Sequence, residues 1–427
     1  MDDNRRMWAE LGIDLEAHDG LLEVLPTLYQ DVYLSQKGRP SRMAYFDNVF
    51  AEIHGMRVRE LVNHRKAGGV VVGTFCTYVP EELIIAAGGI AVGLCGGVEI
   101  APEEVGRYLP QNICPLIRSS LGFKLAKVCP YYESCDLLVG ETTCDGKKKF
   151  FEILGEMQPV HVMELPQRKG PRDVDMWRGE VGDLLTRLEE LTGRKVERRA
   201  LAGAVKVVNE KRKALLRLAE LRKSDPPVIS GLDALLVNQI AFYDDPRRLT
   251  VKVNELCDEL EKRAETGKSA GVSARPRILV SGCPMAIPNW KLYGIIETSG
   301  AVVAMDELCT GIRYFRNLVD EEPDDVEGML DAIAARYLKT DCAVFTPNEE
   351  RVDNVLGLAR EYDVDAVIYH TLQFCDPYAV EAFKVERALE EAGVPMLYLE
   401  TDYGTGDVGQ LKTRVEALFE MVLEKHA

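Results

Sequence analysis

The chain has 427 residues, 46% of them apolar and 28% charged, with a formal net charge of −17. That length exceeds one ordinary core and predicts two or three domains, which the apolar fraction is sufficient to fill. The acidic balance excludes nucleic acid as the main partner, because phosphate binding needs clustered lysine and arginine.

The opening MDDNRRMWAELG lacks the apolar run of a signal peptide, and no apolar stretch reaches spanning length, so a cytoplasmic protein with no membrane partner is expected. Residues 1–67 read as a helical region. Phe46, Val49, Phe50 and Ile53 recur at helical spacing until Gly68-Gly69 stops the pattern, which predicts a segment packed on the first domain. Residues 68–170 change to short β-rich runs separated by helices, the pattern of a parallel sheet covered on both faces. VVVGTF reads as the first strand, PEELIIAAGG as a helix between Pro80 and paired glycines, and IAVGLC, LLVGETTCD and PVHVMELP as the strands that follow. The run Lys147-Lys148-Lys149 reads as a solvated face, as does Arg247-Arg248.

Residues 171–272 form a charged helical connector with Leu184, Leu185, Leu188 and Leu191 at helical spacing. It is interrupted at Asp225-Pro226-Pro227 and at Asp244-Asp245-Pro246. Its Thr266-Gly267-Lys268-Ser269 is no phosphate loop, since the earlier glycine is missing and a helix precedes it instead of a strand. Residues 273–427 return to alternation with RILVSGC, GAVVAM, CAVFTP, DAVIYH and PMLYLE. Gly404-x-Gly406-x-x-Gly409 formally matches a dinucleotide fingerprint, but no second strand and no acidic residue about twenty positions on follow it, so it reads as a tight turn opening the last helix. The expected architecture is α/β: two doubly wound parallel-sheet domains, flavodoxin- or Rossmann-like, related as a pseudo-repeat, plus the helical N-terminal and connector regions.

The eleven cysteines follow this repeat. In a reducing compartment they do not read as disulfides, and with no C-x-x-C pair they do not read as a zinc ribbon. Cys76 and Cys283 end matched strands with prolines just beyond. Cys114-x-x-x-Arg118 is echoed by Cys309-x-x-x-Arg313, and LLVGETTCD, ending at Cys144-Asp145, is echoed by AVIYHTLQFCD, ending at Cys375-Asp376. Two trios result: Cys76, Cys114, Cys144 and Cys283, Cys309, Cys375. Separated thiolates at strand ends suit iron–sulfur chemistry. Three per half leave one iron of a cubane without a protein ligand, where a sulfide bridging two cubanes, a solvent molecule or a substrate can bind. Cys129 and Cys135 are the first substitutes if one assignment fails and Cys95 a weaker one. Cys257 reads as core, and Cys342 has no echo.

Around the trios, Arg118 and Arg313 follow the central cysteines by one helical turn and can offset thiolate charge or form surface ion pairs. His370, on the strand leading to Cys375, is a candidate proton donor or a structural residue. Tyr78, Glu82, Trp290 and Gln373 flank the cysteines as further candidates for proton delivery or cofactor support.

FCTYVPEELIIAAGG, TTCD, FCDPYAVE and DYGTGDVGQLKTRVEAL resemble motifs of the 2-hydroxyacyl-CoA dehydratase and benzoyl-CoA reductase family, from about Val70 to the end apart from the connector. Six cysteines on one chain, with SGCPMAIPNWKLYGIIETSGAVVAMDELCTGIRYF, resemble most the double-cubane cluster proteins within it. The resemblance implies an eight-iron, nine-sulfur cluster of two bridged 4Fe–4S cubanes, held between two domains of each subunit of a homodimer. It also implies a separate dimeric reductase that carries its own 4Fe–4S cluster, hydrolyses ATP and delivers electrons at very low potential. Small unsaturated molecules are then the expected substrates. A subunit of an ATP-activated 2-hydroxyacyl-CoA dehydratase or benzoyl-CoA reductase is the second expectation, and an electron-storage or relay protein without turnover the third.

Overall fold

A computed structural model describes residues 3–94, 96–100 and 102–426. Two four-stranded, all-parallel sheets lie among many helices, and both have the same strand order. The first runs β2-β1-β3-β4 with β1 Val71–Thr74, β2 Ile90–Gly93, β3 Leu137–Glu141 and β4 Val160–Met163. The second runs β6-β5-β7-β8 with β5 Arg277–Gly282, β6 Val302–Glu307, β7 Ala366–Leu372 and β8 Met396–Thr401. β3, β5, β6 and β7 are buried at every position, which explains their near-continuous apolar runs, whereas the edge strands β4 and β8 are partly exposed.

In each sheet the connections after the first and second strands run to opposite sides, so the order reverses between β1 and β3 and again between β5 and β7. A crevice opens beyond the carboxyl ends at such a switch point, and the loops that carry cysteines leave from there. Gly282 shows why the second loop begins where it does. Its φ is 122°, and a Cβ there would sit 1.9 Å from the His370 carbonyl oxygen. Only glycine permits this approach, which lets the Cys283 N–H donate to His370 O at 2.9 Å.

CAVFTP, residues 342–347, is not a strand. Its β-forming residues predicted one, but its backbone bonds elsewhere. Thr346 N–H donates to Gln167 O of the first lobe at 2.9 Å, and the Cys342 carbonyl accepts from Asn348 Nδ2 at 2.9 Å. The segment closes the gap between the lobes instead of extending a sheet.

Between β4 and β5 run the helices Pro171–Thr192, Arg198–Leu221, Gly231–Ile240 and Pro246–Thr266. Proline in the first turn starts the first and last of these, and left-handed Gly193 and Gly267 stop them, at φ 67° and 66°. Arg198–Leu221 lies against Glu81–Ala86 and presents Arg212 to Glu82 at 2.6 Å and Lys211 to Glu81 at 2.6 Å.

The N-terminal helices Asp3–Glu10, Leu15–Tyr29, Met43–Ala51 and Met56–Lys66 bury Phe46, Val49 and Phe50. They touch both lobes, not the first alone. The Ile53 carbonyl accepts from Tyr131 OH at 2.7 Å, while Tyr33 and Phe50 pack on Trp290 of the second lobe with ring centroids 4.8 and 5.2 Å away. Among the described residues, no helix is long and apolar enough to cross a membrane.

Candidate metal centre

Three of the candidate cysteines stand at helix N-termini: Cys114 before Pro115–Leu125, Cys144 before Asp145–Gly155 and Cys375 before Asp376–Glu391. The partial positive charge there favours a thiolate or an anionic cluster. Cys144 Sγ also accepts the Lys147 N–H at 3.5 Å. Cys76, Cys283 and Cys309 lie within two residues of the ends of β1, β5 and β6.

These loops meet across the seam between the lobes, around a cavity of about 660 Å³ lined by Cys76, Cys114, Cys144, Cys309, Cys342 and Cys375. Cys283 lies fully buried just behind it, its sulfur 3.4 Å from the Leu372 N–H. The thiols do not group by lobe. Cys76 hydrogen-bonds Cys309, whose other neighbour is Cys342, while Cys375 contacts both Cys114 and Cys283, and Cys144 lies near Cys114 and Cys375. Each group draws on both halves of the chain.

Their electrostatics follow from these contacts. The hydrogen bond with Cys76 holds the Cys309 thiol down at about 6, and the Arg313 guanidinium adds to the effect. Cys76, as the donor, is pushed well up by the same bond and by burial. Its contact with Cys375 and burial raise Cys114. For Cys375 the contact with Cys114 pulls down, but Cys283 and burial outweigh it and the thiol is raised. Burial raises Cys144.

Arg313 is buried, not a surface residue: it pairs with Glu307 at 2.8 Å and donates to the carbonyls of Gly282 and Asp341 and to Tyr378 OH. It fixes the Cys283 and Cys309 loops together. Tyr78 is buried behind the thiols and donates to Thr340 O at 2.6 Å. Trp290 does not reach the cavity, but its Nε1 donates to Gln239 Oε1 at 2.8 Å, and Gln239 lines the wall.

Other candidates fall away from the cavity. Glu82 is fully buried between Arg212, at 2.6 Å, and Tyr337 OH, at 2.7 Å, so a proton-donor position at the cavity is not what the fold gives it. His370 lies inside β7 and does not line the cavity, although its ring faces the backbone of Cys283; burial lowers its pKa to about 4, leaving a neutral imidazole. Arg118 and Gln373 line a separate hollow of about 70 Å³, beyond Ile113 and Phe374. Cys129 and Cys135 are absent from the cavity lining, with Cys135 Sγ donating to Tyr131 O at 3.1 Å, and Cys257 is fully buried in Pro246–Thr266. Cys95 lies outside the described residues.

Three lining residues escaped the sequence reading. Cys342 lacks an echo because it leaves an irregular segment, and Tyr378 stands one turn after Cys375 with its OH 3.8 Å from Cys342 Sγ. Lys147 sits in a basic run, yet only Lys148 and Lys149 are exposed; Lys147 turns back from the first helical turn to pair with the buried Glu141 at the end of β3. Its position three residues after a helix-capping cysteine was the available signal.

The donor set fits an iron–sulfur cluster better than a single ion. Among the described residues no three metal-binding side chains converge closely enough to hold one ion. Soft thiolates brought from both lobes to one cavity are the donor chemistry that such a cluster takes.

Known proteins match over most of the chain. A family model described as 2-hydroxyglutaryl-CoA dehydratase, D-component, matches residues 76–422. A protein of Escherichia coli (strain K12) named "Putative dehydratase subunit YjiM" is 37% identical over 89% of this chain and 98% of its own length. The (R)-phenyllactyl-CoA dehydratase beta subunit of Clostridium sporogenes is 25% identical over 88% of this chain and 98% of its own. One subunit of the benzoyl-CoA reductase of Thauera aromatica is 24% identical over 80% of this chain and 88% of its own. With a family model that matches residues 76–422, most of the chain and seven of its eight strands, the chain belongs to the 2-hydroxyglutaryl-CoA dehydratase D-component family.

Proposed function

We propose that the chain is an iron–sulfur reductase whose cavity between the lobes holds a double-cubane cluster, fed with electrons by an ATP-hydrolysing iron–sulfur protein, and that it reduces small unsaturated molecules. The observation that carries this reading is one cavity lined by thiols from both halves. Six cysteines, Cys76, Cys114, Cys144, Cys283, Cys309 and Cys375, would hold the cluster. When bound, it would supply one-electron reduction at low potential.

The chain's own residues would set the surroundings. Leu116, Ile117, Leu165, Phe242 and Ile287 give part of the cavity wall an apolar surface, which would strengthen charge interactions beside it. Arg313 and Lys147 place positive charge beside the thiols, Arg313 directly against Cys309 and Lys147 on the Cys76 side. Tyr78 supports the same region from behind, and Trp290 orients Gln239 on the wall. A homodimer, and docking of the electron donor, belong to the same proposal.

Iron and sulfide quantitation on anaerobically purified protein tests it. About eight irons per chain are expected from two cubanes and about four from one. A chain without bound iron after anaerobic reconstitution refutes the cluster. The relatives' names favour a second reading, a subunit of an acyl-CoA dehydratase, since both the beta and the alpha subunit of the Clostridium sporogenes enzyme match this chain. Four irons per chain and acyl-CoA dehydration only with a second subunit type would establish it.

A further inference from the structure

A smaller cavity of about 130 Å³ lies on the far side of Cys76 and shares Thr74, Cys76, Thr77 and Phe242 with the large one. Its character is different. The large cavity carries the thiols, whereas this one adds the charged groups Glu81, Lys211, Asp244 and Asp245 with Tyr314, and it meets solvent at the exposed Arg247. A water needs roughly 10–15 Å³ of such space and two to four polar partners, so the cavity has room for several.

One observation says that something polar occupies it. Thr77 is buried and its hydroxyl has no protein partner, although it stands where the two cavities meet. A buried hydroxyl left unpaired is costly, and a water in the adjoining space satisfies it. Further out, Lys211 Nζ lies 2.6 Å from Glu81 Oε2, and Tyr314 OH donates to the other oxygen of Glu81. Lys211 belongs to the connector, Glu81 to the first lobe and Tyr314 to the second, so all three parts of the chain close the same channel.

We infer that this smaller cavity is a water-filled proton route from solvent to the thiol-lined cavity, with Thr77, Lys211, Glu81 and Tyr314 as its fixed stations. The inference rests on the reductive function proposed above. Reducing one multiple bond takes two electrons, supplied one at a time by the iron–sulfur donor protein, and two protons, which form the two new bonds to hydrogen. In the smaller cavity the Lys211 ammonium gives a proton to a water that passes it on past Thr77, and is reprotonated from the solvent side. Burial lowers the Lys211 pKa, which eases that release.

The test separates relay from support. Lys211→Arg keeps the charge and the pair with Glu81 but does not release a proton, because a guanidinium stays charged. With donor protein, ATP and acetylene as the probe substrate, Lys211→Arg and Thr77→Val are expected to keep the wild-type melting temperature and iron content. Their turnover should fall about tenfold, with a larger solvent deuterium isotope effect. Lys211→Arg at wild-type turnover overturns the inference, as does a fall in turnover that only tracks lost iron. A crystal structure of the full chain gives a second readout that needs no turnover: ordered water within hydrogen-bond distance of Thr77 Oγ1 and Lys211 Nζ supports the route, and a dry cavity overturns it. If wild-type protein reduces nothing, the functional reading fails, while the crystallographic result still decides whether the route is wet.

Discussion

Replacing Glu82 should destabilise the protein without acting on chemistry. Its carboxylate and the Arg212 guanidinium are both fully buried, 2.6 Å apart, and Tyr337 OH donates to the second oxygen at 2.7 Å. Two charges at about 4 Å attract by about 4 kcal/mol at an effective dielectric of 20, which offsets the desolvation of both. Glu82→Gln takes the directly paired carboxylate from a buried guanidinium and leaves only the more distant Glu81 to offset it, at a cost of up to about 3–5 kcal/mol, and Arg212→Met strands the carboxylate at a similar cost. The double variant Glu82→Leu/Arg212→Met removes both charges. It should therefore be more stable than either single one, losing about 1–3 kcal/mol for the unpaired Tyr337 hydroxyl. Urea unfolding of the four proteins, followed by tryptophan fluorescence, closes the cycle. Additive losses would refute the ion-pair account. Glu82→Gln with wild-type stability, full iron and lost turnover would instead return this residue to the proton-donor role its sequence position suggested.

The cysteine assignments make a direct prediction. Cys144→Ala and Cys375→Ala should each lose iron and change the visible spectrum, while Cys257→Ala, in the core of Pro246–Thr266, keeps both; full iron in either of the first two removes that residue from the ligand set. For His370, the folded pKa of about 4 lies below the usual 6.5, so the unfolded chain binds the extra proton and stability falls as pH drops from 6.5 toward 4. Relative to His370→Leu, the wild type should lose on the order of 2 kcal/mol between pH 8 and pH 5, and a constant difference between the two proteins would show that the histidine does not titrate this way. Cluster loading should release protons, because Cys76, Cys114 and Cys375 are held well above the usual thiol range and must ionise to bind iron. Reconstitution in weakly buffered solution should acidify the medium and proceed further at higher pH; no proton release would mean the thiols were already ionised.

The repeat was legible because it is written in strand ends. An apolar run that breaks at Cys144-Asp145 or Cys375-Asp376 and opens a helix carries its own boundary signal, and the two sheets with one strand order follow from two such series. CAVFTP misled because β-forming residues also line cavities, and only the bond from Thr346 to Gln167 of the other lobe distinguishes the two uses. The surroundings of Glu82 and His370 were hidden for a related reason. Nearness in sequence to a cysteine does not fix side-chain direction: Glu82 turns to Arg212, more than a hundred residues away, and His370 faces the backbone of Cys283 and not the cysteine that follows it in the chain. Trp290 lies between these cases, because it reaches the cavity only through Gln239, which sequence spacing does not link to it.

The way the thiols group bears on why both lobes lie in one chain. Cys76 meets Cys309, and Cys114 meets Cys375, so each contact is closed only when the lobes are held in one relative position. The connector does this through Arg212 and Lys211, which engage Glu82 and Glu81 of the first lobe, and through Arg222, which pairs with Asp306 of the second at 2.6 Å. Buried pairs of this kind add little net stability compared with apolar packing, but each is lost if the lobes shift, because either charge alone is costly to bury. They therefore act on alignment more than on strength. A site made from two lobes needs that alignment before any metal arrives, since loading adds its free energy only to the arrangement in which the thiols already face one another. The charged connector supplies that alignment within one polypeptide, since its arginines and lysine engage carboxylates of both lobes.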